Sequence, residues 1–250
     1  MIRGPVFAAN WKMNQTSRDA KTFMRTFLVQ YARRPDRTVI FFPPALTLAS
    51  VADALKGRQD ILLGVQNIHW EAKGAFTGEQ SAEMAKEAGA TFVLIGHSER
   101  RHVFGERDEE TQKKCAAARR AGITPLLCVG EKLEERERGE TDAVVLRQLR
   151  AGTAALDPAA IGSMIIAYEP VWAIGTGKTA QPEDASAVHT VIRRELAVLA
   201  GDRTKETPIL YGGSANAGNA AALISAENVD GLLVGGASLE PEVWASIART

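Results

Sequence analysis

Short apolar runs recur along the chain, and the stretches between them carry apolar residues at three- and four-residue spacing. Val6 to Ala9, Thr38 to Phe42, Ile61 to Gln66, Phe92 to Ile95, Ile123 to Val129, Met164 to Tyr168, Pro208 to Tyr211 and Gly231 to Val234 each read as a strand. After Ser17, a candidate N-cap, the residues Ala20, Phe23, Met24, Phe27, Leu28 and Tyr31 fall on one helical face. Further helices are expected at 45–56, 81–88, 106–121, 142–154, from 182 through at least 199, 219–224 and 241–248. Glycines 57 and 89 stop the first two of these, and Pro182-Glu183-Asp184 opens a helix whose inner face is Ala185, Val188, Ile192, Leu196 and Leu199. The charge-dominated run 131–140 reads as a solvated helix face.

The strands are almost continuously apolar instead of alternating, as parallel strands buried on both faces must be. Strand and helix alternate eight times with no linker or low-complexity stretch. The expectation is an α/β protein with one domain over residues 1–250, a single (β/α)8 barrel in preference to an open doubly wound sheet.

Composition narrows the function. Thirty basic and thirty acidic side chains among 250 residues give zero net charge, which argues against nucleic acid or a membrane surface as the main partner. The pairs Arg33-Arg34, Arg119-Arg120 and Arg193-Arg194 read as solvated helix faces. Cys115 and Cys128 form neither a zinc set nor a disulfide framework and are expected as reduced thiols. With no leader pattern after Met1 and no apolar window long enough to span a bilayer, the expected location is cytoplasmic.

In a parallel barrel every strand's C-terminus faces one end, and the loops there build the site. Asn10 and Lys12 follow the first strand, His97 and Glu99 the fourth, and Glu169 the sixth; Gly213-Ser214 and Gly235-Gly236 follow the seventh and eighth. An amide, a cation, an imidazole and a carboxylate are collected with glycines whose N–H groups can approach an anion, and the ligand they suit is a phosphorylated small molecule. Pro170 follows Glu169 at once. Val171, Trp172, Ala173 and Ile174 then form the apolar middle, and Gly175, Thr176, Gly177 and Lys178 the polar end, of a loop suited to act as a lid. Cys128, inside an apolar strand, reads as packing beside these groups. His69, His102 and His189 lack such a placement and read as structural. Gly177-Lys178-Thr179 is not a phosphate-binding P-loop, because its first glycine would fall on Trp172, and no metal set or cofactor fingerprint is found.

These segments resemble one family over essentially the whole chain. Asn10-Trp11-Lys12-Met13-Asn14, Gly74 to Glu79, Phe92 to Arg101, Ala167 to Lys178, Tyr211 to Ser214 and Val229 to Leu239 are similar, in order, to the motifs of the triosephosphate isomerase family. The resemblance implies a TIM barrel that interconverts dihydroxyacetone phosphate and D-glyceraldehyde 3-phosphate in glycolysis and gluconeogenesis, without metal or organic cofactor. It implies Glu169 as base, His97 as a neutral electrophile and proton shuttle, and Lys12 and Asn10 as stabilisers of developing negative charge. Gly175, Ser214, Gly235 and Gly236 would hold the phosphate, Glu99 and Cys128 would support the site, and the lid would enclose the intermediate. It also implies a homodimer in which the loop 67–77, with Ile68, Trp70 and Phe76 expected on its surface, inserts into the partner through Phe76 and Thr77. Three departures stand out: Ala215-Asn216-Ala217 where a valine and then a proline are frequent, His69 in place of an aromatic, and Gln80 in place of an aliphatic.

Two rival readings remain at this point. A Schiff-base aldolase barrel would need a lysine inside a strand, and these strand runs have none. A non-catalytic phosphate-binding barrel should lack a catalytic group, yet Asn10, Lys12, His97 and Glu169 are all present.

Overall fold

A computed structural model describes residues 2–174 and 180–250. Among them eight strands pair in parallel, each with its sequence neighbours, and β8 closes onto β1: β1 Val6–Asn10, β2 Thr38–Phe42, β3 Ile61–Val65, β4 Phe92–Ile95, β5 Thr124–Val129, β6 Ile165–Tyr168, β7 Ile209–Tyr211 and β8 Gly231–Val234. The outer layer comprises α1 Ser17–Gln30, α2 Leu48–Ala54, α3 Ala82–Glu87, α4 Ser98–His102, α5 Asp108–Ala121, α6 Leu133–Glu137, α7 Thr141–Thr153, α8 Pro158–Gly162, α9 Pro182–Ala200, α10 Ala220–Ile224 and α11 Pro241–Ala248. The expected (β/α)8 barrel is the observed one. No helix of the described residues is long and apolar enough to cross a membrane.

Two apolar clusters follow from the two-residue period of a strand. Val6 and Ala8, Ile40 and Phe42, Leu126 and Cys128, and Ile165 and Ala167 point into the lumen and fill it. Their alternates, among them Phe7, Phe41, Leu127, Ile166 and Tyr168, meet the helices in a larger outer core. Aromatic rings seal the α1 side, where Phe41 lies edge-on to Trp11, Phe27 and Trp244.

Local chemistry moved several boundaries. Thr16, not Ser17, caps α1: its hydroxyl accepts from the Asp19 N–H while Asp19 accepts from the Thr16 N–H, a capping box. The segment 45–56 divides into a 3-10 turn at Ala45–Thr47 and α2. The helix expected from 106 starts at Asp108, because Glu106 is buried and accepts from the Gly96 N–H, Arg100 and Lys114. The run 131–140 is not uniformly solvated, since Glu131 is fully buried. Two of the three arginine pairs are also not simply solvated helix faces. Arg33-Arg34 follow the end of α1 and line a cleft with Arg37, while Arg193 in α9 reaches inward to the Thr204 and Thr207 carbonyls and Asp230. Ile68 is buried, not on the surface, and the two departures beside it tie their loop: the Gln80 amide donates to the Asn67 carbonyl, and the His69 ring stacks on Trp70 and lies tilted against Phe76.

His189 on α9 is fully buried against Tyr168, its Nδ1 donating to the Asn228 carbonyl at 2.9 Å. Burial, with Arg193 nearby, pushes its pKa down to about 4. A histidine of the unfolded chain takes up its proton near pH 6.5, so the stability held above that pH is lost as pH falls toward 4, by about 3 kcal/mol. Urea unfolding of the wild type and His189→Phe at pH 7.5 and 4.5 should show the wild type losing more stability by about that amount. Parallel losses in the two proteins would remove His189 as the cause.

Candidate active site

The C-terminal ends of the strands surround a pocket of about 370 Å³, within the range of small-molecule sites. Asn10, Lys12, His97 and Glu169 line one part of it; Gly213, Ser214, Gly235 and Gly236 line another, with Ile174 at the margin. Of the residues singled out from the sequence, these nine line the pocket; Glu99, Cys128, residues 170–173, Phe76 and Thr77 do not, and Gly175, Thr176, Gly177 and Lys178 lie outside the described residues.

Lys12 has φ of 52°, a left-handed conformation that costs a residue bearing a Cβ roughly 1–2 kcal/mol. Its N–H donates to Asn10 Oδ1 at 3.0 Å, and its carbonyl accepts from Gln66 Nε2 at 2.8 Å. These bonds hold the turn that carries the side chain toward the pocket, where Nζ meets Glu99 Oε1 at 2.7 Å.

His97 ends the loop after β4. Its Nδ1 accepts the Glu99 N–H at 3.3 Å, so the ring in this arrangement carries one proton, on Nε2, facing Glu169 Oε1 at 3.0 Å. The other carboxylate oxygen of Glu169 accepts the Ser98 N–H at 2.8 Å. Burial opposes charge on both groups. The Glu169 charge and hydrogen bond, helped by Glu99, nevertheless raise the pKa of His97, while His97, the Ser98 N–H and Lys12 hold the Glu169 carboxyl below its ordinary value. A fully buried carboxylate therefore remains ionised. Cys128 packs in the lumen; burial, then the nearby Glu169 charge, pushes its thiol well up, so it stays protonated.

Glu131 was hidden in the sequence by the charge run around it. It lies two residues beyond the end of β5, and accepts from Tyr168 Oη at 3.1 Å and Trp172 Nε1 at 2.8 Å. The Arg136 guanidinium covers the Trp172 ring. The first part of the expected lid is in this way seated as a 3-10 turn, Val171–Ala173, with Ala173 buried. Gln66 also escaped notice, although a polar residue closing an apolar strand, as Asn10 closes β1, was its signal. Among the described residues no group of three His, Cys, Asp or Glu side chains is placed to hold a metal ion.

The triosephosphate isomerase family model matches residues 5–250. The chain belongs to the triosephosphate isomerase family. Curated relatives carrying the name triosephosphate isomerase include those of Alcanivorax borkumensis, 47% identical over all of this chain and 99% of the relative, and Aquifex aeolicus, 46% identical over 97% of each. That of Endomicrobium trichonymphae is 45% identical over 99% of each chain. Triosephosphate isomerases are enzymes, and Asn10, Lys12, His97 and Glu169 stand here around one pocket.

Gly212 belongs to the site for a steric reason: a Cβ there would lie 2.8 Å from Glu169 Cγ and 3.2 Å from the Tyr168 carbonyl oxygen. Gly212→Ala should push the carboxylate aside and lower kcat by about 10²-fold, the size of loss that a displacement of about 1 Å within a site brings. Steady-state kinetics beside a melting curve tests this, and unchanged kcat in the folded variant would dismiss the contact.

Proposed function

We propose that Glu169, His97, Lys12 and Asn10 carry the interconversion of dihydroxyacetone phosphate and D-glyceraldehyde 3-phosphate, the triose-phosphate isomerisation of this family. The ionised Glu169 removes a proton from the carbon beside the carbonyl, the carbon–carbon double bond forms, and the carbonyl electrons pass to oxygen as an enediolate. His97 donates its Nε2 proton to that oxygen and recovers one from the neighbouring hydroxyl. Glu169 then returns its proton to the other carbon. The Lys12 ammonium and the Asn10 amide offset the negative charge on oxygen through the reaction, and being fixed beforehand they need little reorganisation. Glu99 supports the pair, since its carboxylate anchors Lys12 and its N–H sets the tautomer of His97.

The substrate's phosphate is assigned to the N–H groups of Ser214, Gly235 and Gly236, together with Gly175. The Ser214 N–H makes no hydrogen bond among the described residues, which suits an anion partner. An enediolate beside a phosphate ester can expel phosphate in water, so enclosure matters; residues 170–178 are assigned as the lid, with Trp172 and Glu131 seating its open end. The observation that carries this reading is the buried, ionised Glu169 with the His97 Nε2–H 3.0 Å from it, on the same pocket as Lys12. In a coupled isomerase assay, Glu169→Ala should lower kcat on the order of 10²- to 10⁴-fold. Absence of wild-type turnover would sink the activity, whereas a small effect in the mutant would sink only the role of Glu169.

A homodimer is proposed on the exposed apolar side chains. Met13, Leu46, Phe76, Met84, Val103 and Phe104 are all exposed, and they sit in the segments following β1 to β4, four neighbouring strands. One side of the barrel mouth is thus apolar where solvent would favour charge. Phe76 and Thr77 project there as the contact, and one barrel with 250 residues forms the domain of each subunit. Two buried, unpaired cysteines suit a reducing compartment, so the cytoplasm is the assigned location. Sedimentation equilibrium at micromolar concentration should give twice the 26.9 kDa chain mass, and Phe76→Asp should shift the protein toward monomer. An active wild-type monomer under those conditions would overturn the dimer.

A further inference from the structure

The segment between β7 and α10 is tied together by its own side chains. Asn219 stands at the N-cap of α10 but does not cap its own helix. Its side chain turns back instead: Nδ2 donates to the Ser214 carbonyl at 3.0 Å, and Oδ1 accepts the Asn216 N–H at 2.8 Å. Asn216 Oδ1 in turn accepts the Gly218 N–H at 2.8 Å. Ser214, Ala215 and Asn216 line the pocket, whereas Asn219 lies behind them, half-buried.

A carbonyl oxygen facing a phosphate dianion would repel it, and a trans peptide places its N–H opposite its C=O. We propose that Asn219 is a positioning residue for phosphate recognition, holding the Ser214 carbonyl turned away from the pocket so that the N–H of Ala215, opposite it on the same peptide unit, faces the anion. The inference rests on the assignment of this segment to the substrate phosphate.

The test compares D-glyceraldehyde 3-phosphate with unphosphorylated D-glyceraldehyde, and adds inhibition by inorganic phosphate. In Asn219→Ala, KM for the triose phosphate and the inhibition constant of phosphate should each rise about tenfold, as expected for two lost hydrogen bonds. Turnover of the phosphate-free aldehyde should stay within about twofold, because the groups at the carbonyl are not touched. Asn219→Asp keeps the side-chain shape and the acceptor for Asn216 but loses the donor to Ser214; it should show the same split, and provides the measurement if the alanine variant does not fold. Equal losses on both aldehydes, or unchanged KM and phosphate inhibition, would overturn the proposal. If inorganic phosphate fails to inhibit the wild type, the phosphate assignment itself falls, and the role of Asn219 with it.

Discussion

Closure of eight parallel strands on themselves imposes the constraint from which the other features follow. Every strand is covered on both faces, by lumen side chains within and helices without, so neither face can carry unpaired charge. Polar groups are displaced to the strand ends. Because the strands are parallel, their C-terminal ends meet at one mouth, and residues as far apart in the chain as Asn10 and Ser214 become neighbours on one pocket.

At that mouth the electrostatics run as a connected chain. Glu99 pairs with Lys12 and donates its backbone N–H to His97; His97 faces Glu169, and the Ser98 N–H holds the second oxygen of that carboxylate. Each member is fixed by the next, which is how a carboxylate fully removed from water keeps its charge. Backbone geometry contributes as much as charge. The left-handed Lys12, tied by Asn10 and Gln66, and the missing Cβ of Gly212 decide where the ammonium and the Glu169 carboxylate sit.

Strands were easy to read because burial on both faces leaves an unbroken apolar run, as in Phe92 to Ile95 or Gly231 to Val234. Helix starts were harder, since Thr16 and Ser17 are equally good caps by type, and the reciprocal bond to Asp19 decides between them. The short helices α4 and α8 bury little surface of their own and left no periodic signal. Glu131, at the head of a charge run, looked solvated until the fold enclosed it, and Glu106, read as the start of a helix, is buried ahead of it.

Residue type and order along the chain determined the alternation of strands and helices, the family motifs, and which polar groups end the strands, because those properties depend on local periodicity and composition. Tertiary structure alone decided which groups touch. The His97 tautomer, the seating of Trp172 on Glu131, the inward turn of Ile68 and the backward reach of Asn219 all depend on atoms brought together from different parts of the chain or by a specific local turn. Contacts of that kind follow from closure and packing, and no pattern of apolar and polar positions encodes them.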